Sequence, residues 1–249
     1  MRSTLIAFAI LLLALSPALR AEEPDPKATI TKAIKASGAK DDGKPINMTW
    51  HDVGVVSVAG MKLDYTGGFA FRAPDALRYD MAVEVMGVKL KMIGVINGDK
   101  VWGSLDGKVV EVTGEKKEYE QSMAYQLWVT SLTQLTRDKG FKLSSVVGKK
   151  VNDKPTSGVL VERKDKPVVT LYFDEESGLM VKSEINVKDE FQGWKEVLEE
   201  VYYEDYKDVD GRKEFEKMRV VRDGKTFIES KMSGMKSPEK LDAKLFEKP

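Results

Sequence analysis

Apolar and polar positions change rhythm several times along this chain, and each change marks an element. Leu5 to Leu15 is an unbroken apolar run set behind Arg2 and closed by Pro17. Positive charge, apolar core and then small residues up to Ala21 is the order of a secretory signal peptide, so cleavage is expected after Ala21. The run falls short of the roughly 20 residues that span a bilayer, which argues against a retained anchor. From Pro26 the pattern is helical: Ala28, Ile30, Ala33 and Ile34 share a face, and Gly38 stands where a helix C-terminus favours glycine. This predicts a short N-terminal amphipathic helix.

Beyond the loop 41–45 the period becomes two. Strands are predicted at 47–58, 62–72, 77–85, 88–96, 100–105 and 109–113. Asn97-Gly98 and Asp106-Gly107 between them are hairpin signals, because both favour the positive φ of tight β turns. Ala59-Gly60 and Met86-Gly87 are weaker signals of the same kind. Connections this short leave no room for crossover helices, so the strands run antiparallel.

The segment 115–138 breaks the alternation. Tyr119, Met123, Leu127, Ser131 and Leu135 recur at helical spacing, with Ala124, Trp128 and Leu132 beside them. That predicts an amphipathic helix of about six turns, closed by Gly140. Strands then resume at 141–151, 159–163, 168–173, 179–187, 197–206, 214–222 and 225–232, with Asp210-Gly211 and Asp223-Gly224 as further hairpins. Alternation along 179–188 assigns Met180, Lys182, Glu184, Asn186 and Lys188 to a wet face. The polar tail from Ser237 offers Leu241, Leu245 and Phe246 for docking. The whole predicts a mostly β (α+β) fold: one strongly curved antiparallel sheet with a long amphipathic helix on its concave face. Residues 22–249 are expected to form a single domain.

Charge and composition narrow the function. Lys plus Arg and Asp plus Glu each number 40, so the net charge is +0, and no basic excess for nucleic acid exists. Cysteine is absent, so an exported chain of this kind rests on hydrophobic burial rather than disulfides. The same absence excludes lipid attachment through cysteine, a thiol nucleophile and a thiolate metal cluster. His51 is the sole histidine, which rules out multi-histidine metal sites. No Gly-x-Ser-x-Gly elbow, dinucleotide-binding loop or Walker loop accompanies it. Asp174, Glu175 and Glu176 precede Ser177-Gly178 between two strands and read as a solvated turn. No catalytic residue, cofactor or metal is therefore expected, and the chain does not read as an enzyme.

What remains is apolar surface. The chain carries 11 methionines, a flexible residue over-used where ligands vary in shape. The candidate ligand-binding residues are Phe69, Phe71, Tyr79, Met81, Val83, Leu90 and Met92 from the sheet, with Leu127 and Leu132 from the helix. Alternation groups Phe69 with Phe71, and Tyr79 with Met81 and Val83, without fixing that both groups point inward.

Within residues 67–102, Gly68-Phe69-Ala70-Phe71-Arg72-Ala73-Pro74 followed by Arg78-Tyr79 is similar to a strand, Pro turn and aromatic-bearing strand of the LolA/LolB superfamily of bacterial lipoprotein carriers. Asn97 to Trp102 resembles that family's Gly hairpin ending in Trp. Phe173-Asp174 to Gly178-Leu179 resembles a later hairpin, and Phe246 to Pro249 the Phe-x-x-Pro ending. The resemblance implies an incomplete barrel closed by helices, in the periplasm, with an apolar cavity for lipid or lipoprotein acyl chains. The carriers place Arg directly before the Pro matched by Pro74, where it helps hold a lid. Here Ala73 stands there, and Arg72 points to the opposite face. The resulting expectation is a monomeric envelope protein binding an apolar ligand as carrier or chaperone. The alternative is a regulatory module of the same fold whose partners are envelope membrane proteins.

Overall fold

A computed structural model of the protein describes residues 25–40 and 42–249; the predicted leader lies outside them. The chain enters through α1 (Pro26–Ser37). Asp25 caps it by accepting from the Lys27 N–H, Pro26 occupies its first turn, and Gly38 closes it at φ 67°. Six strands follow: β1 (Asn47–Val58), β2 (Met61–Arg72), β3 (Ala76–Val85), β4 (Val88–Asn97), β5 (Lys100–Leu105) and β6 (Lys108–Glu111). Helix α2 (Gly114–Thr130) interrupts them. Then come β7 (Phe141–Val146), β8 (Lys150–Val151), β9 (Lys154–Arg163), β10 (Val169–Asp174), β11 (Met180–Asp189), β12 (Lys195–Val209), β13 (Arg212–Arg222) and β14 (Lys225–Lys236).

All fourteen strands join one antiparallel sheet in the order β6-β5-β4-β3-β2-β1-β14-β13-β12-β11-β10-β9-β7, with β8 paired to β9. The ends β6 and β7 do not meet, so the barrel is incomplete. Helix α2 packs chiefly on β11 and also touches β10, β4 and β5. Those strands lie far apart in the sheet order, so the sheet curves around the helix. Two hydrophobic clusters fill the concavity. One joins Ile30, Ala33 and Ile34 of α1 to Tyr125, Val129, Leu171, Ile185, Val201 and Val220. The other gathers Trp50, Phe71, Leu77, Ile96, Val101, Ala124 and Met232. On the convex face the tail lays Leu241 and Phe246 over Ala70 and Ala76. Arg72 stacks on the Phe246 ring at 4.5 Å, away from α2.

Three expectations need correction. The long helix ends at Thr130, not Asp138: Leu132 takes φ 66° and Thr133–Thr136 forms a 3-10 turn. Hydroxyls explain the stop. Thr130 Oγ1 donates to Gln126 O at 2.9 Å, Ser131 Oγ to Trp128 O at 2.6 Å, and the Gln134 amide also donates to Trp128 O. These side chains satisfy carbonyls that a continuing helix would need. Leu132 is thus buried in the α1 cluster but is not on the helix. Second, the stretch 141–151 is two strands, and β9 begins at Lys154 after a turn in which Asn152 and Asp153 both adopt positive φ. Third, the face of β11 read as wet is largely covered. Lys182 and Glu184 are buried as a pair at 2.8 Å, joined by Glu200 and Lys149, and a bulge turns Met180 into the core.

Candidate functional site

Strand register decides which face the candidate residues occupy. Phe69 pairs with Tyr79, and Tyr79 with Gly94; Met81 pairs with Met92, and Val83 with Leu90. Directly opposed residues point to the same side of a sheet. Phe69, Phe71, Tyr79, Met81, Val83, Leu90 and Met92 therefore share one face, and it is the concave one, because Phe71, Leu77 and Ile96 meet α2 there. Leu127 packs against this cluster from the helix, whereas Leu132 belongs to the cluster at α1.

Burial divides that face in two. Phe71, Leu77, Ile96 and Val101 are buried beneath the helix. Farther along the same strands the cover gives out around Met92, although Val83, opposite Tyr65, stays buried. Met81 is half-buried, Met92 is 38% exposed, and Leu105 (opposite Met92) and Val88 (opposite Val85) are 51% and 59% exposed. Val110, on β6, continues the patch toward the sheet edge. The result is an apolar shelf on β3–β6, open to solvent at the β3–β4 turn. From Tyr79 to Val85 it runs about 20 Å at the usual rise of an extended strand. Two surface depressions, of about 230 and 370 Å³, lie elsewhere, one against α1 and one on the convex side of β1–β4.

At the inner limit of the shelf stands a polar pair that sequence reasoning missed. The Tyr79 hydroxyl donates to both carboxyl oxygens of Glu120, at 2.9 and 3.1 Å. Tyr79 lies flat over Gly94, where a Cβ would fall 2.0 Å from the ring; only glycine admits it. Glu120 is 5% exposed, and burial pushes its carboxyl up to about 7, against the opposing pull of Tyr79 and Lys116. A second such pair, Tyr65 donating to Asp52 at 2.9 Å, sits on the same concave face, and burial raises that carboxyl too.

Deeper charge is compensated. Arg222 and Glu199, both 5% exposed, pair at 2.9 Å, Asp189 stands 3.6 Å away, and Arg222 donates to the Tyr119 hydroxyl at 2.6 Å. The Arg222 guanidinium also stacks on Phe227 at 3.7 Å. Asp174, from the acidic turn, accepts from the Ser177 N–H and hydroxyl, both at 2.7 Å. His51 is exposed on β1. Among the described residues no group of three or more His, Asp or Glu is placed to hold a metal ion, and no helix is long and apolar enough to cross a membrane.

No family model matches the chain, and no curated protein matches it by sequence. Solved structures do. A DUF1329 family protein from Desulfovibrio piger superimposes with a TM-score of 0.57 at 13% identity, over 90% of this chain and 98% of its own. A domain described as an outer membrane lipoprotein-sorting protein, from Vibrio parahaemolyticus, gives 0.54 at 12% identity, over 89% and 97%. A LolA superfamily protein from Nitrosomonas europaea gives 0.54 at 11% identity, over 90% and 97%. The chain has the LolA/LolB-like fold.

Proposed function

We propose that this is an exported envelope protein that holds the acyl chain of a lipid or lipoprotein on the open shelf of its concave face, as a carrier or chaperone. The apolar stretch in which Val88, Met92 and Leu105 are exposed and Met81 and Leu90 are half-buried carries the reading. Side chains of this kind are left in water on a concave surface only at a free-energy cost that a bound chain removes. The four methionine and leucine side chains among them, Met81, Leu90, Met92 and Leu105, adapt to a chain of variable shape. The shared fold with a lipoprotein-sorting domain supports the same reading.

Each methylene buried on the shelf contributes about 0.8 kcal/mol, which is a three- to fourfold gain in affinity. In displacement of the neutral dye N-phenyl-1-naphthylamine, n-alcohols of increasing length are expected to bind progressively tighter until the shelf is covered, then level off. Met81→Trp is expected to move the plateau to shorter chains. A flat series that ignores both length and Met81→Trp contradicts the reading and favours the regulatory module.

A further inference from the structure

We infer that the shelf selects amphiphiles whose polar end carries an ammonium group, with Glu120 as the residue that receives it. The inference rests on the acyl-chain reading above. Three observations point to a cation. The Glu120 carboxyl lies at the inner end of the shelf, one cross-strand pair beyond Met81 and Met92. It is almost wholly buried, yet a single hydroxyl serves both of its oxygens, although a carboxylate offers about four acceptor positions. Among the described residues no lysine or arginine stands within ion-pair distance of it.

The charged and phenolic groups described around Glu120 are already engaged. Tyr79 from β3 and Tyr119 from the same helix are phenols whose ionisation burial holds off to high pH. Lys116, one turn earlier on α2, is engaged with Glu190 at 3.4 Å, and Glu190 adds negative charge facing Glu120. Arg222 is consumed by Glu199, Asp189 and Tyr119. A buried carboxylate without a counter-charge either takes a proton or takes a cation. An ammonium reaching past Met81 and Met92, with its chain laid outward over Leu90 and Leu105, fills the vacant acceptor positions. A carboxylate head group meets repulsion at the same place.

The test uses the full mature protein and the same dye, displaced by dodecylamine, dodecanol and dodecanoate. At pH 8, dodecylamine is expected to bind about tenfold tighter than dodecanol, the magnitude of one charge-assisted hydrogen bond, and dodecanoate weakest. Glu120→Gln keeps an acceptor for the Tyr79 hydroxyl, so it preserves the local fold. It is expected to reduce the amine preference to less than about twofold while dodecanol binding holds. In the unsubstituted protein the preference is present above the Glu120 value of about 7 and fades as the pH falls through it, which tests the idea without any substitution. Equal binding of amine and alcohol at pH 8, or an amine preference that survives both Glu120→Gln and pH 5.5, overturns the inference and leaves the acyl-chain reading standing. Failure of all three amphiphiles to displace the dye overturns both.

Discussion

Replacing Arg222 by methionine is expected to destabilise the protein by about 3–5 kcal/mol, the usual cost of leaving one member of a buried ion pair alone. Arg222 and Glu199 are each only 5% exposed, and β12 and β13 bring them together in register. Burial already holds the Glu199 carboxyl above its usual range, and Arg222 is the group that opposes this. Without the guanidinium that carboxyl holds its proton to still higher pH in the folded state. The folded state then binds more protons than the unfolded one, so stability falls as pH rises. The deficit in urea unfolding is therefore expected to be larger at pH 8 than at pH 5. Adding Glu199→Leu to Arg222→Met is expected to restore most of the loss, because Asp189 keeps its own donors, the Phe191 N–H and the Gln192 amide. A deficit that is independent of pH and untouched by Glu199→Leu would mean that Arg222 acts by packing alone.

The second large effect separates core from site on one and the same sheet face. Phe71 is 0% exposed and packs with Trp50, Leu77, Ile96 and Val101 under α2. Phe71→Ala is expected to cost about 3–5 kcal/mol through lost burial and the cavity left behind, a fall in Tm of roughly 6–20 °C for a domain of this size. Met92, two strands away and 38% exposed, has less to lose. Met92→Ala is expected to shift stability by about 1 kcal/mol or less and to weaken alcohol binding instead. Equal destabilisation by the two substitutions would show that the shelf is part of the packed core.

Much of this architecture was legible from the period of the pattern and from the turns. The Ala59-Gly60, Met86-Gly87, Asp106-Gly107, Asp210-Gly211 and Asp223-Gly224 pairs all adopt the positive φ that tight hairpins need, and they fixed the strand order for most of the sheet. Helix α1 followed from its apolar face, from Pro26 at its start and from Gly38 at its C-terminus. The concave placement of Phe69, Tyr79 and Met81 was not legible, because it depends on the cross-strand register that the Pro74 turn sets between β2 and β3. Nor was Glu120. A helical stripe assumes one buried face, but α2 lies inside a curved sheet and buries Glu120, Ala124, Tyr125 and Val129 on more than one side. Lys182 and Glu184 obey the alternation that marks a solvent face. Lys149 and Tyr172, brought over them by tertiary folding, complete their burial. Charges whose partners lie dozens of residues away leave no mark in local periodicity.

Methyl NMR of protein labelled at the methionine methyls tests most directly whether an apolar chain occupies the open shelf. Met81 and Met92 lie on the shelf, Met86 stands fully in solvent at the β3–β4 turn, and Met180 is buried in the packed half of the concavity. On titration with dodecanol, the account expects saturable shifts at Met81 and Met92, with Met180 unmoved and Met86 no more than slightly affected. Saturable shifts centred on Met180, or none at Met81 and Met92 while dodecanol displaces the dye, would contradict it.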